Sequence, residues 1–399
     1  MRVMKKFMIA IGVIVLIAGI LLLIFGKRLK RMYVSLNSFR DKNLAYTFQH
    51  TPEIQPVQRI KRGDGDIFCF EMGETMQLPE QFSFQGQTYS VEQFLTDTKT
   101  TALLVIQDDG IRYEKYYMGG SENTLFVSNS IGKSFVSALF GIALSEGAIT
   151  SVDDPLGTYI PAFRGTALED IPLKACLQMA SGIDFDEEND MNLFSLKTLL
   201  GIPAIRAIAK YGVQEKPFTR RRYQSINTEI LGEVIVRATG KSLAAYMEEK
   251  LWTQIGVQHD AYWTLNNEKE LAMGGLSISL RDYARFARLY LHNGRYNGKQ
   301  ILPAQWIKDS LDASAPYAKP HANGIPYDAL GYGYQWWIPA GSEQEFAAIG
   351  VYGQWIYGNP TNHTIIVKLS ADPNFVAPLY DEKNIAFLQE LAHSIPRKV

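Results

Sequence analysis

Ser130 and Lys133 stand three residues apart within FVSNSIGKSFVSAL, residues 126–139. A hydroxyl and an amine at that spacing share one face of a helix and can share a proton. Serine is a weak nucleophile until a base takes its proton, and lysine can be that base only where burial or a neighbouring cation leaves it neutral. The run that follows, from Phe135 through Phe140 to Leu144, is apolar nearly all round, so the pattern predicts a helix inside a core. Ser128 and Ser130 suit the start of that helix, where free backbone N–H groups would face an oxyanion forming beside the serine. The chemistry implied is attack on a carbonyl carbon. Alone the pair is a weak signal, since about one S-x-x-K match arises by chance in a chain of this length.

The elements that would position the pair are legible around it. TALLVI at 101–106 reads as a buried strand, Asp109-Gly110 as a turn, and IRYEKYY at 111–117 as a half-buried partner, a hairpin feeding the serine helix. Beyond the helix, Asp153-Asp154-Pro155 marks a turn into 156–160, and 171–179 reads as another helix. The segment 181–217 opens with an acidic run at 184–190 and continues apolar over 193–209. It reads as a helical insertion with a solvated acidic edge, a lid over a cleft being the other option. Ile230, Leu231, Val234, Ile235 and Ala238 recur at helical spacing over 228–239, with Gly240 as the stop. Further helices are expected over 244–252, 279–291 and 383–392, and strands over 333–338, 347–356 and 364–369. Strands at both ends with helices between them predict an α+β fold, one antiparallel sheet built from the two ends of the chain and a mostly helical half inserted into it.

Composition narrows the classes. The chain has 399 residues, 46% hydrophobic and 20% charged, enough for a sizeable globular core. A formal net charge of −1 gives no basic field for nucleic acid. Cys69 and Cys176 lack any Cys/His cluster, which argues against structural zinc; they read as two buried thiols, one bridge between them being the alternative. Residues 7–26 form an uncharged apolar stretch whose helical length of roughly 30 Å matches a bilayer core. It runs straight into Lys27-Arg28-Leu29-Lys30-Arg31 without a small-x-small cleavage site, so it reads as an uncleaved transmembrane anchor. Arg2, Lys5 and Lys6 before the span balance the basic residues after it, and charge does not set its orientation. The organisation expected is an anchor over 1–31, a tether or strap with an accessory hairpin (82–89) over 32–95, and a catalytic domain over 96–399.

Seven stretches in order, LLVIQDDGIRYEKYY, SNSIGKSF, DDPLGTYIP, LQMASGID, YQSINTEILG, AMGGLSISLRDYARFARLY and GVYGQWIYGNP, resemble the serine β-lactamase and DD-peptidase family. The likeness is to its branch of class C β-lactamases, esterases and 6-aminohexanoate-dimer hydrolases, and it covers 99–391. The resemblance implies the β-lactamase/DD-peptidase-like fold and an acyl-enzyme on Ser130. It places Tyr223 as the acid/base of a Y-x-S motif with Ser225, with Lys133 as general base. The third motif falls on Ala348-Ile349-Gly350, without the lysine or histidine expected at its first position. An oxyanion hole would combine the N–H groups of Ser130 and Val351, with Ser225, Asn227, Gly350 and Tyr352 around the substrate. Asn227 reads equally as a helix cap. The arginines at 220–222 read as surface residues that could lend Tyr223 positive potential. No metal or organic cofactor is implied, and the substrate would be a small-molecule or peptide amide or ester. Relatives of this kind work outside the cytoplasm, which implies the outer face of a bacterial inner membrane. Two alternatives stay open: a penicillin-binding DD-peptidase or transpeptidase acting on cell-wall peptides, and a binding module that kept the fold without turnover.

Overall fold

The computed structural model describes residues 39–324 and 328–395, with the isolated positions 26 and 37. The expected membrane span at 7–26 lies outside the described residues except for its last position. Among the described residues no helix is long and apolar enough to cross a membrane.

An eight-stranded sheet forms the centre, in the order Gly331–Tyr332, Trp337–Ile338, Phe346–Gly350, Gln354–Asn359, Thr364–Ser370, Thr100–Gln107, Gly110–Tyr116, Glu71–Met72. It is antiparallel apart from the last pair. The first and last thirds of the chain meet at its middle, where Ile365 lies opposite Ile106 and Val367 opposite Leu104. Both central strands are buried along their whole length, so they read as continuous apolar runs rather than alternating ones. Leu104, Ile106, Ile365 and Val367 point into the larger core, shared with the helices Gly132–Ser145 and Leu280–Leu291. Leu103, Val105 and Ile366 point the other way, onto the closing helix Tyr380–Ser394 and the accessory hairpin Gln81–Phe84/Gln87–Ser90. Two layers of helix around one sheet give the α+β architecture that the sequence predicts.

A second, smaller sheet positions Ser130. Its strands run Val57–Ile60, Ala261–Asn266, Leu276–Ser279 and Leu125–Val127, and the last of these leads directly into the turn carrying Ser130. The strand Val57–Ile60 belongs to the segment expected as tether or strap, and it pairs with Ala261–Asn266. Short helices Leu44–Gln49 and Thr51–Ile54 precede it, and Leu44 and Phe48 bury against Val127 and Ala371.

Several elements depart from the sequence reading. The run 347–356 is not one strand but a tight hairpin, Phe346–Gly350 against Gln354–Asn359, turning at 351–353, where Gly353 takes φ +85°. Apolar residues continue through the turn, Val351 and Tyr352 among them, so no break in hydrophobicity marks it. GYQWWI at 333–338 likewise breaks at Gln335, whose φ is +63°. That side chain is buried: its oxygen accepts from Thr228 Oγ1 (2.7 Å), its amide donates to the carbonyls of Cys176 and Leu177, and its own carbonyl accepts from Ser134 Oγ (2.7 Å). The two cysteines do not pair; Cys176 is buried as expected, but Cys69 is exposed. Arg221, read as a surface residue, is 1% exposed and ion-paired with Asp328 at 2.9 Å.

Candidate active site

Ser130 sits on a single 3-10 turn, Asn129–Ile131, immediately before the helix Gly132–Ser145, and not on the helix proper. The turn is held by short-range stitching. Ser128 Oγ accepts the Leu276 N–H at 3.0 Å, and Asn129, at φ +44°, donates from Nδ2 to the Val351 carbonyl at 2.9 Å. Asparagine tolerates this left-handed conformation better than most residues with a Cβ, and here its amide also ties the serine turn to the hairpin beside it. Glycines permit the approach. A Cβ on Gly350 would lie 2.5 Å from the Ser128 carbonyl and 3.0 Å from the Ser130 nitrogen, and one on Gly274 would lie 2.7 Å from the Asn129 carbonyl. The serine turn is therefore wedged between two backbones that approach it only because they carry no side chain there.

Lys133 Nζ donates to Ser130 Oγ at 2.7 Å and to the Met273 carbonyl at 2.9 Å, with its side chain 2% exposed. Burial lowers this lysine to about 8, while the carboxylates of Glu187 and Glu229 act in the opposite sense. At pH 7 a lysine with that pKa is neutral in roughly one molecule in ten, against about one in 2,500 for an ordinary one. Tyr223 comes from the chain just before the helix Ser225–Thr239, and its ring centroid lies 5.0 Å from Lys133 Nζ. The phenol ring is stacked on Trp337 (centroids 5.3 Å apart) and meets the edge of Tyr332. Behind that aromatic layer, the Arg221 guanidinium lies 5.6 Å from the Trp337 ring and donates to the Leu330 carbonyl.

Ser130, Lys133 and Tyr223, drawn from segments more than ninety positions apart, line one cleft of about 750 Å³. Gly350 and Val351 line it too, on the strand and turn pressed against Ser130. Ser225 reaches the cleft, but its N–H (2.7 Å) and hydroxyl both donate to Glu187, so the hydroxyl is already engaged. Asn227 and Tyr352 do not reach it. Asn227 is fully buried, its amide near Met179 Sδ and Gln224 Oε1, and it makes no cap; Tyr352 packs on Phe48 and Phe375 behind the wall.

The structure adds groups that the sequence reading missed. Glu229 is buried on the tyrosine helix, and Oε1 accepts the Met273 N–H at 2.9 Å, while the carbonyl of the same residue receives Lys133. Burial pushes its carboxyl up to about 7, opposed by the Met273 N–H and by Lys133. Glu187, inside the acidic run expected to be solvated, instead faces the cleft, and burial raises its pKa too. Nothing in the spacing of either residue marks it, because each acts through a contact made by a distant backbone. No group of three or more His, Cys, Asp or Glu able to hold a metal occurs among the described residues.

A buried amine on a serine hydroxyl, beside a phenol and a close backbone turn, defines a serine hydrolase site on an α+β fold. The chain belongs to the β-lactamase family, whose model matches residues 90–390. Among curated proteins it is similar to the 6-aminohexanoate-dimer hydrolase of Paenarthrobacter ureafaciens, 26% identical over 299 residues, covering 71% of this chain and 76% of that one. It is also similar to a teichoic acid D-alanine hydrolase of Staphylococcus aureus, 26% identical over 285 residues, covering 68% of this chain and 66% of the relative. Among solved structures, a Bacillus anthracis protein provisionally described as a 6-aminohexanoate-dimer hydrolase superposes with a TM-score of 0.77 at 26% identity, covering 88% of this chain and 96% of that one. The protein is accordingly an enzyme, a serine hydrolase of the β-lactamase family.

Proposed function

We propose that this hydrolase cleaves an amide or ester through an acyl-enzyme on Ser130, with Lys133 as general base and Tyr223 as the acid that protonates the leaving group. The observation that carries the reading is the 2.7 Å contact between Lys133 Nζ and Ser130 Oγ inside a wall that lowers the lysine to about 8. In its neutral form Lys133 accepts the Ser130 proton as Oγ attacks the carbonyl carbon. The developing oxyanion lies between the N–H groups of Ser130 and Val351, which the missing Cβ of Gly350 lets come together. Collapse expels the amine or alcohol with a proton from Tyr223; water, activated by Tyr223 and Lys133, then releases the acid and restores Ser130.

The substrate reading is an amide or ester without a carboxylate next to the scissile bond. Position 348, where lysine or histidine is expected by resemblance, is alanine, and Lys133 is the only lysine or arginine lining the cleft among the described residues. The other charges there are Glu187 and Asp381. Beside Lys133 itself, the described residues place no second cation in the cleft to grip a penicillin-like carboxylate, which weighs against the DD-peptidase alternative. The names of the relatives, a dimer hydrolase and a D-alanine hydrolase, support amide and ester substrates respectively. The reading also includes anchoring by 7–26, with the catalytic body on the outer face of a bacterial inner membrane. Treatment of the full chain with a fluorophosphonate probe tests the chemistry. Wild type labels and hydrolyses short p-nitrophenyl esters at least tenfold faster than a chromogenic cephalosporin, and Ser130→Ala does neither while keeping its circular dichroism. Equal labelling of the two proteins would refute the assignment.

A further inference from the structure

The large apolar side chains exposed on this protein are not scattered. Twelve are exposed among the described residues; three of them, Phe39, Leu196 and Val351, line the catalytic cleft, and five more, Leu193, Leu200, Ile202, Val376 and Leu379, lie within three positions of a lining residue. On one side stand Phe39, Val351, Val376 and Leu379; the first two line the cleft, and the last two lie between its lining residues Phe375 and Tyr380. On the other side stand Leu193, Leu196, Leu200 and Ile202, carried by the helix Met191–Leu199 and the turn after it. In that helix Phe194 and Thr198 face the core, whereas Leu193, Leu196 and Leu200, spaced i, i+3, i+7, share the outer face, and Leu193 and Leu200 are each about half exposed. Exposed apolar side chains gathered around a cleft in this way mark a contact surface.

Two features select what it contacts. Phe39 lines the cleft on the rim itself, and the apolar stretch 7–26 ends 13 positions earlier in the sequence. Thirteen residues reach roughly 45 Å when fully extended. A body of this size is roughly 50 Å across, so the rim cannot be turned to the side away from the anchor. In addition, Lys27, Arg28, Lys30 and Arg31 directly follow the apolar stretch and supply the positive charge that anionic lipid headgroups attract.

We propose that the apolar rim rests on the lipid surface and that the cleft takes its amide or ester from amphiphiles held there. The inference rests on the hydrolase and anchor readings above and names the class of substrate they leave open. Leucines on both lips of the mouth enter the headgroup region, Lys197 on the same helix reaches back to the phosphates, and an acyl or polyol chain passes into the cleft without crossing water.

The test uses the full chain reconstituted into vesicles of phosphatidylglycerol and phosphatidylethanolamine containing a shallow nitroxide lipid. In a Cys69→Ser background, an environment-sensitive fluorophore is attached through Leu193→Cys, Leu200→Cys or Val376→Cys, with Lys299→Cys in the hairpin Arg295–Gln300 as the control. Rim labels are expected to shift to the blue and lose at least half their intensity to the nitroxide, while the label at 299 loses little. In parallel, Leu193→Ser/Leu200→Ser/Val376→Ser, at positions that do not line the cleft, keeps fluorophosphonate labelling and the rate on a soluble short ester. It loses fivefold or more on an ester embedded in vesicles. Unquenched rim labels, equal rates on the embedded ester, or rim labels that quench one another without lipid, as copies packed face to face would, each overturn the proposal. A wild type that fails to react with fluorophosphonate while its rim labels are quenched would strike the hydrolase reading, and the substrate assignment with it, and leave the lipid contact of the rim standing.

Discussion

Lys133 has to hold two opposed properties: neutral often enough to take a proton, yet polar enough to be held on Ser130. Burial supplies the first, and the Met273 carbonyl, at 2.9 Å, supplies the second. Glu229 adjusts the balance. Its charge favours the ammonium form, so removing that charge lowers the lysine further. Glu229→Gln keeps an oxygen for the Met273 N–H. It is expected to shift the acid limb of the pH–rate profile for ester acylation to lower pH, raising the rate at pH 7 by about two- to fivefold. The groups facing Lys133 are Glu187 and Glu229, with the Tyr223 ring above it, and Glu233 acts on Glu229 from one turn along. An unshifted profile would remove Glu229 from the account. Gly350 sets the other half of the chemistry. Gly350→Ala places a methyl against the Ser128 carbonyl and the Ser130 nitrogen, forcing the strand away from the serine turn. Loss of one oxyanion donor costs about 10²–10³ in kcat, so a fall of that size with substrate KM nearly unchanged is expected in steady-state kinetics.

At the level of elements, the site is two helices and a hairpin brought to one point, and Gln335 joins the two helices. Through its carbonyl it holds Ser134 on the nucleophile helix, and through its side chain Thr228 on the tyrosine helix. Gln335→Ala leaves the Thr228 hydroxyl and two carbonyls without that partner in a buried place, at a cost of about 2–4 kcal/mol. Chemical denaturation is expected to show the loss as a lower midpoint at constant m-value, and kcat to fall with it. This residue also shows where sequence reading stops. The central strands, the serine helix and the closing helix were legible because their apolar periods are set by the layers they join. The hairpin at 351–353 and the break at Gln335 were not, since each depends on a positive φ stabilised by contacts from distant parts of the chain. Ser130, Lys133, Tyr223 and Val351, which line one cleft, were singled out from motif order. Glu187 and Glu229 were not, because a glutamate in an acidic run or on an amphipathic helix reads as solvated until the backbone that covers it is known. Asn227 and Tyr352 were drawn into the site by their closeness in sequence to Ser225 and Val351, yet their side chains turn into the core and onto the strap.

Over the whole molecule, the strap makes the 39–60 segment part of the catalytic body: it donates a strand to the sheet that aims Ser130 and a wall to the cleft. The cleft is largely apolar and, among the described residues, lined by one cation, Lys133, which is the basis of the proposal that its substrate carries no carboxylate beside the scissile bond. In the proposed mechanism all of these features serve one event, the passage of the Ser130 proton to Lys133. The direct measurement is the single-turnover rate of Ser130 acylation by an activated ester, followed by intact-protein mass spectrometry across pH 6–10, for wild type and Lys133→Met. The expected result is a rate that rises with pH through a midpoint close to the lysine value of about 8, and a loss of about 10³ or more without that midpoint in the variant. A wild-type rate flat across that range, or a Lys133→Met protein that acylates as fast as wild type, would contradict it.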